Sequence, residues 1–133
     1  MNVRSGCPLG FEPLPGVLEQ ARSLAVQGAS IEVIHDPREA VRGAQAVYTD
    51  VWASMGPEDE QSEREQAFAG FCVDEALMEA ADTEAIVLHC LPAHRGEEIS
   101  PGVMESSASR IFDQAENRLH AQQALLAALM GGL

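Results

Sequence analysis

Short strand-like apolar runs alternate along the chain with stretches of helical spacing. Asn2 to Ser5 reads as the end of a strand, and the proline-rich Gly6 to Pro15 segment as a loop. Leu14 to Gln27 places Val17, Ala21, Leu24 and Ala25 on one helical face, with Gly28 as its terminator. Ile31 to Ile34 and Ala46 to Thr49 are short strands. Between them Asp36 and Pro37 form an N-cap followed by proline at the first helical position, which predicts a helix to Arg42. Glu58 to Phe68 is acidic and reads as a solvated helix. Asp74 caps a further helix to about Ala81. Ile86 to His89 is the clearest buried strand, and Ser100 with Pro101 opens a helical turn. Arg110 to Phe112 reads as a last strand. The terminal helix is placed at Ala115 to Met130, beginning near Gln114 with Asp113 as its cap. Its end, Ala124 to Met130, is apolar all round, so burial on both sides is expected.

Strands separated by helices predict βαβ units and an α/β fold with a mostly parallel sheet. The length of 133 residues fits one domain. No run approaches the ~20 apolar residues of a membrane span, and the first ten residues lack the pattern of a secretory signal. Net charge is −13 and all basic residues are arginine. That balance argues against nucleic acid, which needs clustered positive charge. It also leaves arginine as the basic side chain for any phosphate or carboxylate. Three cysteines, Cys7, Cys72 and Cys90, with no signal sequence point to reduced thiols in the cytoplasm.

Ligands of parallel sheets sit beyond the carboxyl ends of strands, which directs attention to three segments. In Asp50-Val51-Trp52-Ala53-Ser54-Met55-Gly56, Asp50 can hold an amine or merely cap a turn over a packed Trp52. In His89-Cys90-Leu91-Pro92-Ala93-His94-Arg95-Gly96-Glu97-Glu98, a Cys–His nucleophile is weak, because adjacent strand residues face opposite ways. Cys90 can equally be a small buried apolar residue. No Cys-x-x-Cys partner supports structural zinc, and Leu91-Pro92 can adopt the cis form. In Asp113 to Arg118, a helix N-terminus and Arg118 can attract an anion, or Arg118 can pair on the surface with Glu116 or Asp113. Together the segments offer an acid for an ammonium, a thiol with carbonyls in the middle, and an arginine for an anion. That set suits a zwitterionic amino acid beside an anionic partner.

These three segments, in this order, resemble the motifs of ornithine carbamoyltransferases: the Asp50–Gly56 loop, the His89-Cys90-Leu91-Pro92 signature with Ala93 to Glu98, and Glu116-Asn117-Arg118. The similarity runs from Val3 to about Leu129. The middle motif is shared with putrescine carbamoyltransferases, whereas Ser54-Met55-Gly56 favours ornithine. The resemblance implies that Asp50, Ser54 and Met55 bind ornithine. It implies that Cys90, Leu91 and Arg118 bind carbamoyl phosphate, with Cys90 and Asp50 catalytic. The δ-amine would attack the carbamoyl carbon and expel phosphate, with no metal or organic cofactor.

The implied fold is a partial doubly wound, mostly parallel sheet with helices on both faces, lacking its first strand and helix. Residues 1–133 would form one incomplete ornithine-binding domain. The carbamoyl phosphate domain, marked in the family by a Ser-x-Arg-Thr motif, has no counterpart in the sequence. Its partners would be that domain, both substrates and, at full length, a trimer-based homo-oligomer, with no nucleic acid or membrane. The isolated chain is expected to be inactive. The competing readings are a non-catalytic remnant that binds an amino acid or a protein, and a carbamoyltransferase for another amine such as putrescine.

Overall fold

The structure, a computed structural model, describes residues 1–26, 28–53 and 58–131. Its strands are β1 (Val3–Gly6), β2 (Ile31–Ile34), β3 (Ala46–Thr49) and β4 (Ile86–His89). The helices are α1 (Pro15–Leu24), α2 (Pro37–Val41), α3 (Glu58–Ala67), α4 (Glu75–Met78), α5 (Pro101–Met104) and α6 (Ile111–Leu129). The strands form two parallel pairs among the described residues, β1 with β2 and β3 with β4. Parallel pairing follows from the intervening helices, since a hairpin turn cannot return the chain in the same direction.

Local chemistry explains most boundaries. The Asp36 carboxylate accepts the Glu39 amide at 3.0 Å, and the Asp74 carboxylate accepts the Leu77 amide at 2.7 Å. The Ser100 hydroxyl accepts the Val103 amide at 3.1 Å. Each bond satisfies a donor that a helix N-terminus otherwise leaves open. Helix α4 is shorter than its sequence predicts and ends at Met78.

The last part of the chain departs from expectation. Arg110 to Phe112 is not a strand. A single bridge joins Val87 to Ser109, and α6 then begins at Ile111. The apolar pair Ile111-Phe112 invites a strand assignment, but Ile111 is fully buried as the first helical residue. Arg110 holds the N-cap position without a side-chain cap, and Asp113 lies in the first helical turn.

The buried cluster comprises Val47, Val73, Leu77, Val87, Ile99, Val103, Met104 and Ile111. It therefore gathers around β3 and β4, beneath the two strand ends that carry the chemistry. The β1–β2 pair is tied in by polar contacts. The Arg4 guanidinium donates to the carbonyls of Ala40 and Arg42, at 3.4 and 2.6 Å. Between the two pairs lies an open cleft of about 970 Å³, bordered by Arg4, Gly6, Val47 and Tyr48.

Helix α6 does not bury its apolar end. Leu125, Leu126, Leu129 and Met130 are 59%, 57%, 76% and 82% exposed, so the burial on both sides expected from the sequence is not met. Geometry gives the reason. Nineteen helical residues extend roughly 28 Å, whereas a four-residue strand reaches only about 13 Å. The helix is anchored at Ile111 and outruns its sheet. Val17 and Leu24 of α1 are likewise exposed. No helix among the described residues is long and apolar enough to cross a membrane.

Candidate functional site

Strands β3 and β4 pair in register, Thr49 opposite His89. The residues that follow, Asp50 and Cys90, therefore emerge side by side. The Cys90 thiol donates to Asp50 Oδ1 at 3.0 Å, and the same oxygen accepts the Val51 amide at 2.8 Å. This contact joins two segments forty residues apart in sequence. Asp50 raises the Cys90 pKa, first by accepting the thiol hydrogen bond; burial and the negative charge of Asp50 act in the same direction. Cys90 is therefore a neutral hydrogen-bond donor at neutral pH. An activated thiolate would need the opposite environment, a nearby cation or base.

His89 is not that base. Its imidazole is fully buried, and both ring nitrogens are engaged elsewhere. His89 Nδ1 accepts the Leu91 amide at 2.8 Å, and His89 Nε2 faces Glu98 Oε1 at 3.1 Å. Glu98 Oε1 also accepts the His94 amide at 2.6 Å. Both His89 and Glu98 are fully buried. The Leu91-Pro92 bond is cis, and Leu91 has a φ of 57°. Gly96, at φ 92°, lets the loop turn back so that Glu98 returns beneath His89.

Helix α6 supports the same strand end. Gln114 Oε1 accepts the His89 amide at 3.1 Å, and Gln114 Nε2 donates to the Tyr48 hydroxyl at 3.2 Å. Tyr48 in turn contacts the Cys90 thiol. The sequence singles out neither Tyr48 nor Gln114, because each signal depends on a contact between distant segments. Trp52 stacks on Phe68, ring centroids 6.0 Å apart, and its carbonyl accepts the Arg64 guanidinium at 3.3 Å. Trp52 thus belongs to an aromatic cluster with Phe11 and Phe71 around Phe68.

Among the remaining candidates, Leu91 follows Cys90 directly and is held through its amide by His89. Arg118 is exposed on α6, within a helix and not a loop, and has no hydrogen bond or ion pair among the described residues. Neither Glu116 nor Asp113 pairs with it. Ser54, Met55 and Gly56 lie outside the described residues.

Two groups bring possible metal donors within 4.8 Å of one another: Asp50 with His89 and Cys90, and His94 with Glu97 and Glu98. In the first, both His89 nitrogens are already engaged. The second is held together by its own contacts, with His94 Nδ1 3.4 Å from Glu97 Oε2.

Comparison with known proteins agrees with this arrangement. Residues 1–129 match the family described as aspartate/ornithine carbamoyltransferase, Asp/Orn binding domain. The ornithine carbamoyltransferase of Parasynechococcus marenigrum is 97% identical over all of this chain, which covers 42% of that protein. A relative of the same name from Prochlorococcus marinus strain MIT 9313 is 74% identical with the same coverage. Among solved structures, the ornithine carbamoyltransferase of Pyrococcus furiosus superposes with a TM-score of 0.91 at 48% identity, covering 99% of this chain and 42% of that one. The enzyme of Gloeobacter violaceus gives 0.86 at 50% identity, covering 98% and 43%. The chain thus spans less than half the length of the relatives it matches. It belongs to the aspartate/ornithine carbamoyltransferase family, as an Asp/Orn binding domain.

Proposed function

We propose that this chain is the ornithine-binding part of an ornithine carbamoyltransferase, which transfers the carbamoyl group of carbamoyl phosphate to the δ-amine of ornithine. The observation that carries the reading is the Asp50–Cys90 contact at two adjacent strand ends. A carboxylate there attracts a cationic amine and repels a second carboxylate. That charge preference supports ornithine over aspartate within the family.

In this reading Asp50 orients the amine of ornithine, and Ser54 and Met55 complete its pocket. Cys90 lies between the two substrates, where its thiol and Asp50 form a donor–acceptor pair for proton handling. The carbonyl of Leu91 holds the carbamoyl amide, and Arg118 grips the phosphate. The δ-amine attacks in its neutral form: a nitrogen–carbon bond forms, the carbon–oxygen bond to phosphate breaks, and the proton lost by the amine nitrogen leaves with the departing phosphate. Catalysis rests on placing both substrates and stabilising developing charge. Ornithine and carbamoyl phosphate are the substrates, and the carbamoyl phosphate domain is the necessary partner. The full-length protein is a trimer-based homo-oligomer. Residues 1–133 alone make no citrulline.

The test uses the chain restored to full length with the part of the P. marenigrum relative that lies outside the aligned region. Steady-state kinetics should show Cys90→Ser and Asp50→Asn lowering kcat, and Arg118→Ala chiefly raising KM for carbamoyl phosphate. A Cys90→Ser enzyme with unchanged kcat overturns the role given to the thiol.

A further inference from the structure

We propose that His89 and Glu98 are positioning residues, a buried pair that holds the Cys90–Leu91 turn in its working orientation. The functional half of this inference rests on the carbamoyltransferase reading above; the structural half does not. His89 Nδ1 accepts the Leu91 amide at 2.8 Å, so that nitrogen presents a lone pair. The ring proton is thereby assigned to Nε2, which donates to Glu98 Oε1 at 3.1 Å. Glu98 selects this tautomer by offering an acceptor, and the tautomer leaves Nδ1 free to accept from Leu91.

The held residue needs holding. Leu91 occupies the left-handed region at φ 57°, which is disfavoured for a residue with a side chain. Its amide is fixed from outside the backbone ladder, by a side chain two residues earlier. Through it the direction of the Leu91 carbonyl and the place of Cys90 are both set. Glu98 is fully buried, and its second oxygen, Oε2, has no partner among the described residues. An unsatisfied buried carboxylate oxygen costs stability. Packing alone therefore gives Glu98 a poor return, whereas a tautomer lock gives it a use. Its Oε1 also accepts the His94 amide, so one oxygen closes both ends of the loop.

Two conservative substitutions separate positioning from simple filling. In His89→Asn the amide oxygen overlays Nδ1, which keeps the acceptor for Leu91 and drops the link to Glu98. In His89→Gln the amide nitrogen overlays Nε2, which keeps the Glu98 partner and drops the Leu91 acceptor. Imidazole nitrogen NMR of the chain should show His89 protonated at Nε2 in the wild type and in Glu98→Gln. Amide exchange at Leu91 should stay slow in His89→Asn and rise at least tenfold in His89→Gln. Thermal stability should rank the other way, with His89→Gln the more stable. In the restored enzyme, kcat should follow the Leu91 amide and not the stability.

A proton on Nδ1 of wild-type His89 overturns the proposal. So does Leu91 exchange that tracks stability in both variants. A restored wild-type enzyme that makes no citrulline sinks the functional reading alone, and the NMR and exchange results still decide the positioning role.

Discussion

Replacing Asp50 by Asn tests the chemistry of the strand-end pair at a single atom. The substitution keeps an oxygen that can accept from Cys90 but removes its charge. Asp50 holds the Cys90 pKa up, chiefly through the 3.0 Å hydrogen bond. A hydrogen bond to a charged acceptor is worth about 1.5–3 kcal/mol. Asp50 is exposed, and solvent screening reduces that to about 1 kcal/mol. One kilocalorie per mole corresponds to roughly a fivefold change in the thiolate fraction below the pKa. A thiol of lower pKa is also a weaker nucleophile, with a Brønsted slope of about 0.4–0.5. The net expectation is alkylation of Cys90 faster by about two- to threefold in Asp50→Asn. Iodoacetamide kinetics between pH 7 and 8, read by peptide mass spectrometry, separate Cys90 from Cys7 and Cys72. Unchanged or slower alkylation at Cys90 would refute the claim that Asp50 controls this thiol.

Two further outcomes follow from the structure. The exposed end of α6 should drive concentration-dependent association of the isolated chain, since burying one leucine is worth about 1.5–3 kcal/mol. Light scattering coupled to size exclusion should show this, with Leu126→Glu plus Leu129→Glu shifting the chain to monomer. A wild-type monomer at all concentrations refutes it. The second concerns alkaline pH. Burial raises the pKa values of Cys7 and Cys72, and the Asp50 hydrogen bond that of Cys90. A folded pKa above the unfolded one stabilises the fold fully below the ordinary thiol value of about 8.5 and is lost as pH rises through the folded values. The urea midpoint should therefore decline above about pH 9, and less so in Cys72→Ala. A midpoint that does not fall there contradicts the buried-thiol account.

Much of the layout is legible in the sequence. Ile31–Ile34, Ala46–Thr49 and Ile86–His89 are strands with the bounds their apolar runs indicate, and the Asp36, Asp74 and Ser100 caps sit where their spacing puts them. These signals are local, set by alternation or by a side chain reaching an amide three residues on. The expectation at Arg110 to Phe112 failed because two apolar residues look the same entering a strand or a helix. Burial of Ile111 in the core decided it. At the site, the sequence marks Asp50 and Cys90 as chemically unusual but cannot say that they touch. That follows from the β3–β4 register. It gives no sign that Glu98, nine residues on, is the partner of His89. Tyr48 and Gln114 stay hidden for the same reason, being sixty-six residues apart in sequence.

The most direct test of the central claim is the amine that the restored full-length enzyme carbamoylates. With carbamoyl phosphate and equal concentrations of ornithine, putrescine and aspartate, product analysis should find citrulline as the main product. Asp50→Asn should suppress it, and the isolated chain should form none. Carbamoylaspartate or carbamoylputrescine as the main product, or citrulline formation undiminished in Asp50→Asn, contradicts the account.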